Sequence, residues 1–185
     1  TGSDGLKGTT TSEQLEAAYW TQPCRFVQTK DIGAVIFANP IGDTTAFTGT
    51  YNGQNYTITS LEVTGNANYA GMFGLVDGAT LANINIGAVT IPVTNAPVNV
   101  GSLVGSILST SKASIVSNVN VSAVDLSAVL AATNIGGLVG IAGGTNAVTI
   151  SDSSVTVAAT IGSTEAAASV GGVVGKANAA NVTVS

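Results

Sequence analysis

The side chains that most often do chemistry are few in this sequence and poorly grouped. Its 185 residues contain no histidine. That removes Ser-His-Asp and Cys-His nucleophiles together with the commonest zinc arrangements. Cleavage of polysaccharides can proceed on paired carboxylates alone, held about 5 to 10 Å apart. Here Asp31, Asp43, Glu62, Asp77, Asp125, Asp152 and Glu165 are dispersed along the chain, and Asp125 and Asp152 fall in different phases of its internal repeat. Neither the calcium-binding loop of an EF-hand nor an aspartate-bearing glycine nonapeptide occurs. The sequence therefore assigns no catalytic, cofactor-binding or metal-binding residue, and the chain reads as a non-enzyme.

Two other residue types could contact ligands. Flat aromatic faces stack on sugars, which makes Tyr51, Tyr56 and Tyr69 candidate glycan contacts; the competing reading packs them at the junction between an N-terminal cap and the first coil. Sequons stand at Asn55, Asn120 and Asn181. Asn, Ser and Thr are abundant enough to produce that many by chance, so the sequons assign no glycosylation.

The elements that would position these side chains follow from composition and period. Only 8% of residues are charged and 45% are apolar, with a net charge of −5. Disordered chains are poor in apolar residues, so this one should fold, as a single domain. Lys7, Arg25, Lys30, Lys112 and Lys176 are scattered and form no basic patch, which argues against nucleic acid as a partner. The lone Cys24 cannot close an internal disulfide; a buried free thiol is favoured over an intermolecular bridge. The apolar stretch 126–144 carries polar residues, lacks basic anchors and has its glycines in phase with the repeat, so no membrane insertion is expected.

The repeat appears as four blocks: Tyr69-Ala70-Gly71-Met72-Phe73-Gly74, Val100-Gly101-Ser102-Leu103-Val104-Gly105, Ile135-Gly136-Gly137-Leu138-Val139-Gly140 and Val170-Gly171-Gly172-Val173-Val174-Gly175. Their last glycines, Gly74, Gly105, Gly140 and Gly175, recur at 31, 35 and 35 residues. After the blocks come alternating apolar runs, such as Leu81-Ala82-Asn83-Ile84-Asn85-Ile86 and Ile115-Val116-Ser117-Asn118-Val119-Asn120-Val121, and then a third run, Val89-Thr90-Ile91 or Val124-Asp125-Leu126. Period two marks strands, and three strands per repeat is the expected count. The pattern predicts an all-β fold, a right-handed parallel β-helix with coils of about 31–35 residues, inward residues such as Leu138, Ile150, Val155 and Ile161, and the four glycines at tight corners. A sandwich of hairpins is the rival, because spacing alone does not establish parallel pairing.

The ends differ. Residues 12–19 read as a short helix capped by Ser12, with Leu15, Ala18 and Tyr19 on one face, placed to cover the first coil. The first residues show no signal-peptide pattern, so either one has been removed or the chain is an excised piece. At the other end Val182 and Val184 lie in an alternating strand that no charge or proline blocks, a candidate assembly edge to be covered by a further coil or another subunit. The single domain 1–185 divides into a cap and first strand (1–30), a first coil (31–68) and glycine-block repeats (69–185).

Gly137-Leu138-Val139-Gly140 matches in full the Gly-Leu-hydrophobic-Gly pattern of bacterial surface and adhesin proteins with GLUG-motif repeats; Gly71-Met72-Phe73-Gly74 and Gly172-Val173-Val174-Gly175 replace the leucine, and Ser102 replaces a leading glycine. Residues 40–42 and 47–61 resemble the segment that opens coils in those proteins, with Asn52-Gly53 where an Asp-Gly turn is usual and Gly33 where a second Asp is common. The resemblance implies a β-helix on the cell surface and no shared activity. The expectations are a structural or adhesive solenoid that stacks on further repeats or on copies of itself; a module binding surface glycans or host proteins; or a non-catalytic region of a secreted peptidase.

Overall fold

The protein is represented by a computed structural model that describes residues 24–63, 68–92, 98–126, 132–159, 161, 168–179 and 181–185. The expected helix over 12–19 lies outside the described residues. The chain first lays down β1 (Arg25–Val27) and β2 (Ile32–Phe37), then a coil of β3 (Thr50–Asn52), β4 (Thr57–Val63), β5 (Tyr69–Ala70) and β6 (Phe73–Val76). The next coils contain β7 (Thr80–Thr90), β8 (Asn99–Gly101) and β9 (Val104–Ile107), and then β10 (Ser114–Asp125), β11 (Asn134–Gly136) and β12 (Val139–Ala142). A further coil holds β13 (Val148–Ser151), β14 (Ser154–Val157), β15 (Ser169–Gly171) and β16 (Val174–Ala177), and β17 (Val182–Val184) begins another.

Every strand pairing among the described residues is parallel, which excludes the hairpin sandwich. The chain is a parallel β-solenoid with one long face, built from β1 to β4, β7, β10, β13, β14 and β17, and two short faces, β5-β8-β11-β15 and β6-β9-β12-β16. Ile115 pairs with Thr80, 35 residues earlier, and Val148 with Val182, 34 later. Near the N-terminus the coils are shorter, since Thr50 pairs with Arg25 and with Thr80.

Equal pitch places like residues over like, and this makes the core. Tyr51, Leu81, Val116 and Ile150 form one column and Ile58, Ile86 and Val121 another, all essentially without exposure. Burying each such side chain contributes about 1.5 to 3 kcal/mol. Phe47 and Phe73 sit at a centroid distance of 5.1 Å, and Tyr51 meets Phe73 edge-on at 5.8 Å, so the first coils carry an aromatic cluster.

The three expected strands per repeat are distributed differently in the structure. Each glycine block makes two short strands, while the two apolar runs that follow are a single strand, β7 or β10, bent in the middle. The bend is Asn83 (φ 56°) or Asn118 (φ 52°), with Asp152 (φ 50°) at the corresponding place between β13 and β14. Asn and Asp are the non-glycine residues that enter this left-handed region most readily, so the chain can turn there and keep its ladder.

Candidate functional site

The four repeat glycines lie inside β6, β9, β12 and β16, not at corners, which corrects the expected placement. None has φ in the left-handed region. The constraint on them is space: the two short faces touch backbone to backbone. A Cβ on Gly140 would stand 2.5 Å from the Gly105 carbonyl oxygen and 2.6 Å from the Val100 nitrogen; one on Gly175 would stand 2.6 Å from the Gly140 oxygen. The corners fall instead just before these strands, where Met72, Leu103 and Leu138 turn inward and are fully buried.

The three tyrosines do not form a groove. Tyr51 is 1% exposed, and its phenol donates to Gln28 Oε1 at 3.2 Å inside the core, so it is not a glycan contact. Tyr56, 36% exposed, precedes β4 on the long face, and half-buried Tyr69 starts β5 on a short face.

The dispersed carboxylates remain dispersed, and no group of three His, Cys, Asp or Glu converges among the described residues. Two of them cap turns in the next coil. Asp31 Oδ1 accepts from the Thr57 N–H at 2.7 Å. Asp77 Oδ1 accepts from the backbone N–H groups of Thr110 (2.6 Å) and Ser111 (3.0 Å), and its Oδ2 accepts from the Thr110 hydroxyl at 2.7 Å. Burial alone would raise the Asp77 pKa, but these bonds outweigh it and hold the carboxyl below its ordinary range. Asp77→Ala should lower stability by about 0.5 to 1 kcal/mol, the value expected for a cap in contact with water. A depressed folded-state pKa contributes stability above the unfolded value of about 3.9 that is lost as pH falls through the folded value. Denaturant midpoints of the two proteins should therefore differ at neutral pH and converge in strong acid; a constant difference would mean that the carboxylate charge plays no part.

Cys24 is a half-buried free thiol. A hollow of about 50 Å³ lies among Ser106, Ile141, Gly144 and Asn178, room for a water or two and far below the several hundred Å³ of a small-molecule site. Among the described residues no helix is long and apolar enough to cross a membrane. The sequon residues are partly engaged: Asn55 Oδ1 accepts from Asn118, Asn120 Oδ1 accepts from the Ser154 hydroxyl, and Asn181 Oδ1 is buried.

Two further features belong to this site, the first unread in the sequence and the second marked there only at Val182 and Val184. One is a pair of amide ladders, Asn52-Asn83-Asn118 on the long face and Asn99-Asn134 on a short one. Their signal was available, since Asn83 and Asn118, like Asn99 and Asn134, stand 35 residues apart. The other is the far side of the last described coil. Val182 and Val184 pair with Val148 and Ile150 in β13, but Val157, Val170 and Val184 remain 40%, 47% and 52% exposed.

These features define a class, the parallel β-solenoid whose surface is set by the stacking of coils. No protein-family model, curated protein or solved structure matches the chain.

Proposed function

We propose that this chain is a non-catalytic structural or adhesive module of a microbial cell surface, working as a stiff segment that stacks on further coils, its own continuation or identical subunits. The observation that carries the reading is the apolar layer on the last described coil: Val157, Val170 and Val184 extend the register of the buried columns beneath them and are exposed, a surface suited in period and chemistry to one more coil. The absence of histidine and the engagement of Asp31 and Asp77 in turn caps support the non-enzymatic part. The likeness of the glycine blocks to GLUG-motif surface proteins supports the extracellular location. Partners are accordingly other coils or subunits, with no nucleic acid and no membrane insertion.

Assembly tests the reading. The protein should associate end to end at high concentration in light scattering and electron microscopy, and Val182→Lys with Val184→Lys should keep the solenoid's circular dichroism but abolish association. A wild type that stays monomeric throughout would remove stacking of identical subunits.

A further inference from the structure

The two amide ladders point the same way. Asn83 Nδ2 donates to Asn52 Oδ1 at 3.0 Å, and Asn118 Nδ2 donates to Asn83 Oδ1 at 2.8 Å and to Asn55 Oδ1 at 3.0 Å. Asn134 Nδ2 donates to Asn99 Oδ1 at 2.6 Å. The donors Asn83, Asn118 and Asn134 thus point back toward earlier coils, Asn118 reaching both the preceding coil and the one before it, and the paired amide oxygens accept from later coils. The last oxygens in the two series are those of Asn118 and Asn134, and the residues one coil later are Asp152 and Ser169. An ionised carboxylate has no hydrogen to donate. The Ser169 hydroxyl makes no bond to Asn134, whose Oδ1 is buried without a hydrogen-bond partner among the described residues. Both ladders therefore stop between the coil of β10, β11 and β12 and the coil of β13 to β16.

The backbone changes at the same boundary. The strand of the long face, continuous through β7 and β10, is broken at Asp152 into β13 and β14. The pairing of β10 with β7 keeps one register throughout, whereas its pairing with β14 shifts between Val121 and Val124. Side chains still bridge the boundary. Asn146 Nδ2 donates to the Thr110 carbonyl and the Ser154 hydroxyl to Asn120 Oδ1 in contact with water. The Val119 N–H donates to Ser153 Oγ and Asn146 Nδ2 to the Ser109 carbonyl at part-buried positions, each at 3.2 Å. The bond missing at Asn134 is a buried one, and an orphaned buried acceptor carries its full desolvation cost.

We propose that this boundary is a built-in seam, and that the coil from β13 to β17 opens as one unit while the preceding coils stay closed. In a solenoid each coil is held only by its neighbours, so cooperativity is weakest where the interface between two coils is weakest. Opening there bares the edges of β10, β11 and β12 together. Closing it again depends on the backbone ladders, the valine columns and the side-chain bonds of Asn146, Ser153 and Ser154, without a buried amide ladder.

Native-state hydrogen exchange on the chain 1–185 tests the seam. Amides of β13 to β17 should exchange together through an opening in which those of β4, β7 and β10 stay protected. Asp152→Asn and Ser169→Asn each return a donor to a ladder. Ser169→Asn should raise protection in β13 to β17 by about five-fold, the effect of one ordinary hydrogen bond, and Asp152→Asn, at an exposed bend, by less. Neither should change β4 or β7. Ser169→Val, which adds bulk but no donor, separates packing from hydrogen bonding, and a gain equal to that of Ser169→Asn would overturn the proposal. So would exchange of all strands in a single step, or asparagine variants that leave β13 to β17 where they were; should one variant fail to fold, the other tests its own ladder.

Discussion

Gly140→Val is expected to lower the stability of the solenoid by about 3 kcal/mol, at the upper end of the cost of overpacking, and its melting temperature by about 6 to 12 °C. The reason is local and rigid. A Cβ at this position meets the Gly105 carbonyl oxygen and the Val100 nitrogen, both backbone atoms of strands locked into parallel ladders on either side. No side chain can rotate away, so the two short faces must separate along β8 and β9. Since the backbone at Gly140 is ordinary strand, the cost is one of volume, and Gly140→Ala should already destabilise. Gly172 is the control: in the same motif one coil on, an added Cβ meets nothing within 4 Å, and Gly172→Ala should melt with the wild type. Equal midpoints for Gly140→Ala and the wild type would show that the short faces can part at no cost.

This glycine shows what the sequence makes legible. The interval between Gly105, Gly140 and Gly175 is visible without coordinates, and a period of 35 residues with alternating apolar runs is enough to infer stacked coils. What the glycine is for is not visible, because turns and close approaches both select for a missing side chain. The contact between Gly140 and Val100 joins residues 40 apart in different coils and on different faces, and it follows only from how sharply the chain folds back at Leu138. The same limit explains why the three strands expected per repeat are divided differently in the structure. The sequence separates the runs after Ile86 and Val121, whereas each pair of runs is one strand whose bend lies earlier, at Asn83 or Asn118, where an asparagine at φ near 55° turns a strand without ending it.

Recognition candidates were harder to place than the fold, because an aromatic residue on a strand is inward or outward by a single step of register. Tyr51 stands in the column of Leu81 and Val116, while Tyr56 precedes β4 at a turn. The ladders were missed for a different reason: asparagine is common in this chain, and only the direction of each amide distinguishes a column from a coincidence of spacing.

Tyr51→Ala should cost about 4 kcal/mol, the loss typical of an aromatic side chain removed from a packed core, whereas Tyr56→Ala should stay within about 0.5 kcal/mol of wild type. The hydroxyl has its own share. It donates to Gln28 Oε1, and Gln28 is fully buried, its Nε2 donating to the Lys30 carbonyl, so Tyr51→Phe keeps the ring packed against Phe73 but takes this donor from Gln28 Oε1, at about 1 to 2 kcal/mol. Burial pushes the Tyr51 phenol well above its ordinary pKa, so the folded state keeps it protonated where an unfolded chain would release the proton. A group whose folded pKa is raised contributes stability that is complete below its unfolded value of about 10 and is lost as pH rises toward the folded value. Wild-type stability should accordingly fall on the alkaline side, and Tyr51→Phe, less stable at neutral pH, should fall less steeply, so that denaturant midpoints measured from pH 8 to 11 draw together. A surface tyrosine that contacts glycans would behave in the opposite way: Tyr51→Ala would melt at the wild-type temperature, and the two proteins would keep parallel stability curves across that range.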